Sequence, residues 1–301
     1  MNHTVPCPGC GRMVDIPEGM DACFCTYCGA KVSCPAPGGP DTAASRPTFD
    51  PDVSVLATEL AAVMERNRSL TRQFGKATYE SQFRKYQEEL SPTVIRLEAV
   101  LPQGEGRAAV LEQTAAAWLD ALTVLWRKNG RRKPPHYEDQ HLMAIFTIPA
   151  LRDLSQPAGE ELARAVQKQW VARWPKSPIG LGSYQDIAGG FRTRLCYITS
   201  AICRIQGKGD DCYELTTFRR FRDQVMLASD EGRALVEAYY HLAPAIVTTV
   251  RLCWDEKAVY DKVYRDYLLP CLGLLEAGDE KGCRDKYVEM VRHMERTYLP
   301  Q

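Results

Sequence analysis

A mainly all-α protein, a helical body behind a small N-terminal β zinc ribbon, is the fold class predicted by three features of these 301 residues. Apolar residues recur at three-to-four spacing through most of the chain beyond Pro51. No sustained alternating run, the mark of a half-buried strand, interrupts that pattern there. Two short cysteine knuckles, Cys7-Pro-Gly-Cys10-Gly11 and Cys25-Thr-Tyr-Cys28-Gly29, open the chain.

The knuckles specify the first element. Thiolate suits Zn²⁺, and a two-residue gap lets each hairpin tip aim both sulfurs at one ion with Zn–S near ~2.3 Å. Glycine after each second cysteine fits the tight backbone, because it tolerates positive φ. Fourteen residues separate the pairs, enough for a strand, a turn and a strand. Cys7, Cys10, Cys25 and Cys28 are therefore the expected ligands of a closed, four-thiolate structural zinc site in a ribbon over residues 1–34. Cys23 in place of Cys25 would leave four residues before Cys28 and lose the matched knuckles, so it and Cys34 are spare thiols.

Residues 35–51 hold Pro35, Pro37, Gly38, Gly39, Pro40, Pro47 and Pro51 with hardly a bulky apolar side chain, the composition of a linker. The helical body follows. Leu111, Ala115, Trp118, Leu122 and Leu125 lie on one helix face, and Leu162, Val166 and Trp170 on another that stops at Pro175. Ile187, Phe191, Leu195, Ile198, Ile202 and Ile205 form the longest stripe, closed by Gly207 and Gly209. Cys283, Tyr287, Met290, Met294 and Tyr298 form the last, after a stop at Gly278. Pro175, Pro178, Gly180 and Gly182 mark a joint, which divides the body into helical domains at 52–178 and 179–301. A looser joint lies at Lys128–Pro135.

Twelve cysteines raise the question of disulfides. Six lie between Cys7 and Cys34 and six between Cys196 and Cys283, in a long chain whose first residues have neither a basic segment nor an apolar run. The expected compartment is cytoplasmic, with metal ligation in front and buried free thiols behind. The longest apolar stretch, 242–250, falls short of the ~20 residues of a spanning helix. The expectation is therefore a chain without a membrane span.

Net charge is zero, but the first fifty residues carry three Lys/Arg against five Asp/Glu, and four zinc-bound thiolates would add to that deficit. Nucleic-acid binding rests on basic surface, so an acidic ribbon points to a protein partner. The basic segment Arg127–Lys133 is the basis for the nucleic-acid alternative.

Few residues beyond the knuckles carry chemistry. Cys196, Thr199 and Cys203 flank the long stripe, with Cys196 and Cys203 about 10.5 Å apart along a helix, beyond the ~7 Å reach of a disulfide. Small apolar side chains at helix contacts are one reading; a thiolate nucleophile at Cys196, paired with His241, is the other. Asp211 and Glu214 resemble a capping box that places Cys212 in a first helical turn. Arg219 and Asp223 are spaced to pair across one turn, and Arg219 with Arg222 offers an alternative anion pocket. Tyr239-Tyr240-His241 reads as a helix end before Pro244. His136 and His141 diverge on a helix and make a poor metal pair. Ser183-Tyr-Gln-Asp186 reads as a helix cap, and no P-loop, nucleophile-elbow or zinc-protease motif is present.

Cys196-Tyr197-Ile198-Thr199-Ser200-Ala201, then Gly207-Lys-Gly-Asp210-Asp211-Cys212-Tyr213-Glu214-Leu215, Phe218-Arg219-Arg220-Phe221-Arg222-Asp223 and Tyr239-Tyr240 before Pro244 resemble a bacterial family with a CFI-box C-terminal domain. Tyr197 stands where the box has phenylalanine, and the likeness spans roughly 174–301. Several members carry an N-terminal zinc ribbon. The resemblance implies a bacterial, helical, cytosolic protein and no particular reaction. Its motif singles out Cys196, Thr199, Arg219, Arg222, Asp223 and Tyr240.

Together these features predict a zinc-binding adaptor for protein–protein interaction, with zinc as cofactor. A cysteine-dependent enzyme using Cys196 is the first alternative and a nucleic-acid-binding protein the second. Oligomeric state is open.

Overall fold

The computed structural model describes residues 3–6, 13–16, 22–25, 31–33, 51–131, 135–191 and 196–300, and it is mainly helical. The chain divides into two units, Met1–Thr48 and Phe49–Gln301.

The first unit contains two antiparallel hairpins. Strand β1 (His3–Pro6) pairs with β2 (Met13–Ile16), setting Val5 opposite Val14; β3 (Ala22–Phe24) pairs with β4 (Lys31–Ser33), setting Cys23 opposite Val32. In sequence, each Cys-x-x-Cys falls between the two strands of one pair. Cys25 follows β3 directly and is buried with Val14 and Val32. The other expected ligands, Cys7, Cys10 and Cys28, lie outside the described residues, as do Cys34 and most of the linker.

The second unit begins with α1 (Pro51–Arg66), α2 (Tyr79–Val100) and α3 (Arg107–Lys128). Next, α4 (Tyr137–Leu142) passes through one wide, π-type turn at Met143–Thr147 into α5 (Ile148–Arg152), followed by α6 (Pro157–Arg173) and α7 (Tyr184–Gly190). Their apolar faces make one core, with α1 packed on α3 and α3 on α6. The run from Asp139 to Leu151 is buried throughout, so this segment threads the core. Of the predicted α3 stripe, Leu111, Ala115, Trp118 and Leu122 are buried. Trp126, rather than the half-buried Leu125, completes it, edge-on to Trp170 at 6.0 Å between ring centroids. Among the described residues, α3 is the one helix long and apolar enough to cross a membrane; it packs here as a core helix. Ser183 caps α7 as predicted, its Oγ accepting from the Asp186 amide at 3.1 Å.

A second core is built from α8 (Tyr197–Ile205), α9 (Tyr213–Gln224), α10 (Asp230–Cys253), α11 (Glu256–Val263), α12 (Leu269–Glu276) and α13 (Glu280–Tyr298). Cys283, Met290, Met294 and Tyr298 of the predicted C-terminal stripe are buried in it. Helix α10 serves both cores. Ala243, Ile246 and Val250 enter the second, while Ala245, Leu252 and Cys253 enter the first.

Several expectations need correction. The stripe from Ile187 to Ile205 is not one helix, because α7 ends at Gly190 and α8 starts at Tyr197. Gly189-Gly190 is a poor helix continuation. Phe191 turns into the first core, whereas Ile198 and Ile202 enter the second. Residues 192–195, with Leu195, lie outside the described residues. Ile179, Tyr184, Ile187 and Phe191 all belong to the first core, and Tyr197 to the second. Pro244 does not end α10. Burial of Ala243, Pro244, Ala245 and Ile246 offsets the cost of an interior proline, ~3 kcal/mol.

The basic segment also differs from expectation. Arg131 is buried, donating to Asp139 Oδ1 at 2.9 Å and pairing with Glu65, and Arg68 donates to the same Asp139 oxygen at 3.1 Å. A guanidinium committed to two carboxylates inside the fold is not surface charge for phosphates, which removes its contribution to the nucleic-acid alternative. Arg132 and Lys133 lie outside the described residues.

Candidate functional site

The N-terminus of α8 is held by residues distant in sequence. Cys196 precedes the helix, and its carbonyl accepts from the Ser200 amide at 2.7 Å. Helix starts leave amides without intrahelical partners. Here the hydroxyl of Tyr239, on α10, accepts from the Ile198 amide at 3.0 Å. At the next residue, Thr199 Oγ1 lies 3.2 Å from the hydroxyl of Tyr287 on α13. Tyr239 and Tyr287 are themselves in ring contact at 6.0 Å. Burial pushes both phenols well above their ordinary pKa, so they act as neutral hydrogen-bonding groups.

Beside them opens a cavity of about 470 Å³. Its wall is largely apolar, formed by Phe218 and Phe221 of α9, Leu235 and Val236 of α10, and Val288 and Val291 of α13. Cys196, Arg222, Tyr240 and His241 also line it, with Arg284, Arg292 and Glu295. Four residues singled out in the sequence therefore converge.

Arg222 organises the polar side. It grips Asp223 through two parallel bonds, Nε to Oδ1 at 2.7 Å and Nη2 to Oδ2 at 3.0 Å. Its remaining nitrogen, Nη1, donates to the Tyr240 hydroxyl at 3.0 Å and to Cys196 Sγ at 3.7 Å. The guanidinium holds the Asp223 carboxyl below its usual range, and Asp223 in turn raises the arginine. The positive charge is thus largely compensated before any ligand arrives. Arg284 is likewise engaged, by Glu231 at 3.2 Å and Asp285 at 3.4 Å.

Cys196 is buried, and that burial raises its thiol above the ordinary value, the attraction of Arg222 and Arg219 opposing it only in part. Thiolate is the nucleophilic form, so this environment disfavours activation. His241 is not at a helix end but midway along α10, on its exposed side. Among the described residues no hydrogen bond joins it to Cys196, whose polar partner is Arg222. The Cys196–His241 pair shares a cavity without forming a dyad.

The other candidates separate. Arg219 does not pair with Asp223. It donates to the Asp210 carbonyl at 2.8 Å and to Asp210 Oδ1 at 3.2 Å, tying down the loop before α9, while Asp223 is taken by its neighbour Arg222. The expected capping box does not form at α9. Cys212, not Asp211, holds the N-cap position, and the Glu214 side chain binds Lys208 and accepts from the Tyr264 hydroxyl at 3.1 Å. His136 stands exposed before α4, whereas His141 is fully buried with Nε2 3.1 Å from Thr249 Oγ1, so the two form no metal pair.

Sequence reasoning missed the contribution of α13. Tyr287 was legible only as a core residue, because its stripe position is apolar by pattern. Its partnership with Thr199 depends on a contact 88 residues apart. Val288 and Val291 stand one position from the buried stripe, the usual place for residues at the edge of a groove.

No protein-family model, curated protein or solved structure matches this chain.

Proposed function

We propose that this protein is a non-catalytic adaptor of the bacterial cytoplasm. A zinc ribbon held by Cys7, Cys10, Cys25 and Cys28 is tethered to a helical body that receives a protein partner at the cavity beside Cys196. One observation carries the reading: the cavity combines an apolar wall with polar groups already satisfied by one another. Phe218, Phe221, Leu235, Val236, Val288 and Val291 would accept an apolar side chain, and Tyr240 and Arg222 would orient its backbone. Removing such apolar surface from water favours association by about 25 cal/mol per Å². Resemblance of residues 174–301 to the CFI-box family agrees with a bacterial origin and adds no reaction.

The enzyme alternative would require an activated Cys196, and burial works against that. The partner reading is tested by placing a photo-crosslinking residue at Val236 and comparing the captured proteins with those from the Val291→Glu variant. Adducts that disappear when the cavity wall is charged, in a chain with unchanged circular dichroism, support the reading. Identical adducts in both chains would overturn it.

A further inference from the structure

Cys203 and Cys212 are nine positions apart in sequence and meet in space. Helix α8 ends in a Schellman turn: the Gly207 amide donates to the Arg204 carbonyl at 3.1 Å and the Lys208 amide to the Cys203 carbonyl at 2.9 Å. Gly207 takes φ +70°, the left-handed conformation this turn requires. The chain reverses, the Cys212 amide donates to the Gly209 carbonyl at 3.2 Å, and α9 starts with Cys212 as its N-cap. Glu214, in the first turn of α9, is carried to the same spot. Both sulfurs and a Glu214 carboxylate oxygen lie within 4.8 Å of one another.

We propose that Cys203, Cys212 and Glu214 form a second metal site, distinct from the ribbon, for a thiophilic divalent cation of the zinc class. At Zn–S near ~2.3 Å, two sulfurs of a tetrahedral site stand about 3.8 Å apart. The three ligand atoms, all within 4.8 Å of one another, already stand near that spacing. Three protein ligands leave one position for water, and a cleft lined by Cys203, Lys208, Asp210 and Leu215 gives access from solvent.

Charge accounts for the neighbours. Two thiolates, one carboxylate and a divalent ion sum to minus one. The Lys208 ammonium, bound to Glu214, brings the cluster to neutrality. The Tyr264 hydroxyl on the same carboxylate oxygen orients it from the next shell, as outer partners of metal ligands do. Purely apolar packing explains Leu215 among these thiols, but not a Glu214 only 7% exposed beside them.

A cation of this class is bound by thiolate rather than thiol, so metal uptake weakens as pH falls.

The test counts metal on the full-length chain, reduced and loaded with Zn²⁺, by elemental analysis. Wild type should hold one more ion per chain than Cys212→Ser, a difference that does not depend on the ribbon. Glu214→Gln, which keeps the side-chain shape, should weaken Co²⁺ binding at this site by at least about tenfold, while the thiolate charge-transfer band of the saturated site, which Cys203 and Cys212 supply, persists. Circular dichroism checks that each variant folds, and a zinc-edge absorption spectrum of wild type should contain an oxygen-bearing site beside the four-sulfur one. Equal stoichiometry in wild type and Cys212→Ser would overturn the proposal. So would isolation of a Cys203–Cys212 disulfide from chains that never acquire the extra ion.

Discussion

Arg222 donates through Nη1 to the Tyr240 hydroxyl at 3.0 Å and, from the same nitrogen, reaches Cys196 Sγ at 3.7 Å. A single guanidinium thus links α9, α10 and the start of α8, and the thiol depends on it for the little anionic character it can have. Burial, the larger influence, raises the Cys196 thiol; Arg222 lowers it. Cys196 should therefore alkylate at least about tenfold more slowly than free cysteine at pH 7.5. Arg222→Gln, which removes the opposing charge, should slow it further. Iodoacetamide labelling followed by peptide mass spectrometry gives both rates, and faster labelling of Cys196 than of free cysteine would restore the enzyme reading.

His141 predicts a specific acid sensitivity. It is fully buried, and burial depresses its imidazole to about 3, against ~6.5 in an unfolded chain. The neutral ring is the form that folds, so its contribution is fully present above pH 6.5 and is lost as pH falls from there towards 3. Between pH 7 and pH 4.5 the loss amounts to about 2.5 kcal/mol. Urea unfolding at the two pH values should show that drop in wild type and a clearly smaller one in His141→Asn.

Gly159 should reverse the ordinary rule for helices. Glycine to alanine inside a helix normally gains about 1 kcal/mol. At this position in α6 an added Cβ would stand 2.3 Å from the Leu151 carbonyl oxygen, a backbone atom that cannot swing aside. Gly159→Ala is expected to destabilise by about 1–3 kcal/mol, read from the urea midpoint. An unchanged or raised midpoint would mean that α5 and α6 separate more easily than their packing implies.

Loss of the zinc proposed for the ribbon should leave the helical body intact. Cys28→Ser removes one expected thiolate, and Met1–Thr48 forms a unit apart from Phe49–Gln301. The variant should lose one zinc per chain and keep the calorimetric melting temperature of the body within about 1 °C, the substitution lying in the other unit. A lowered body transition would mean that the two units share stability.

What could be read from the chain alone follows the range of the forces involved. Helix faces such as Leu162, Val166 and Trp170 were legible because their period is local. Convergence of Cys196, Arg222, Tyr240 and His241 was legible only as a list of candidates. Their order along the chain contains no distance, and α13, which completes the cavity, lies far downstream. Side-chain pairings were read least well. Arg219 could reach Asp223 across a helical turn, yet it binds Asp210, while Asp223 is captured by the adjacent Arg222. Cys203 and Cys212 went unpaired in the sequence because only a reversal after Gly207 brings them together.

Helix α10, which supplies Ala245, Leu252 and Cys253 to one core and Ala243, Ile246 and Val250 to the other, binds the fates of the two halves. Neither half can melt alone without stripping apolar surface from a helix the other still needs. Heat or denaturant should therefore unfold residues 49–301 in one cooperative step. A truncation before α10 would deprive the N-terminal core of part of its wall, giving a fragment prone to aggregate rather than an autonomous domain.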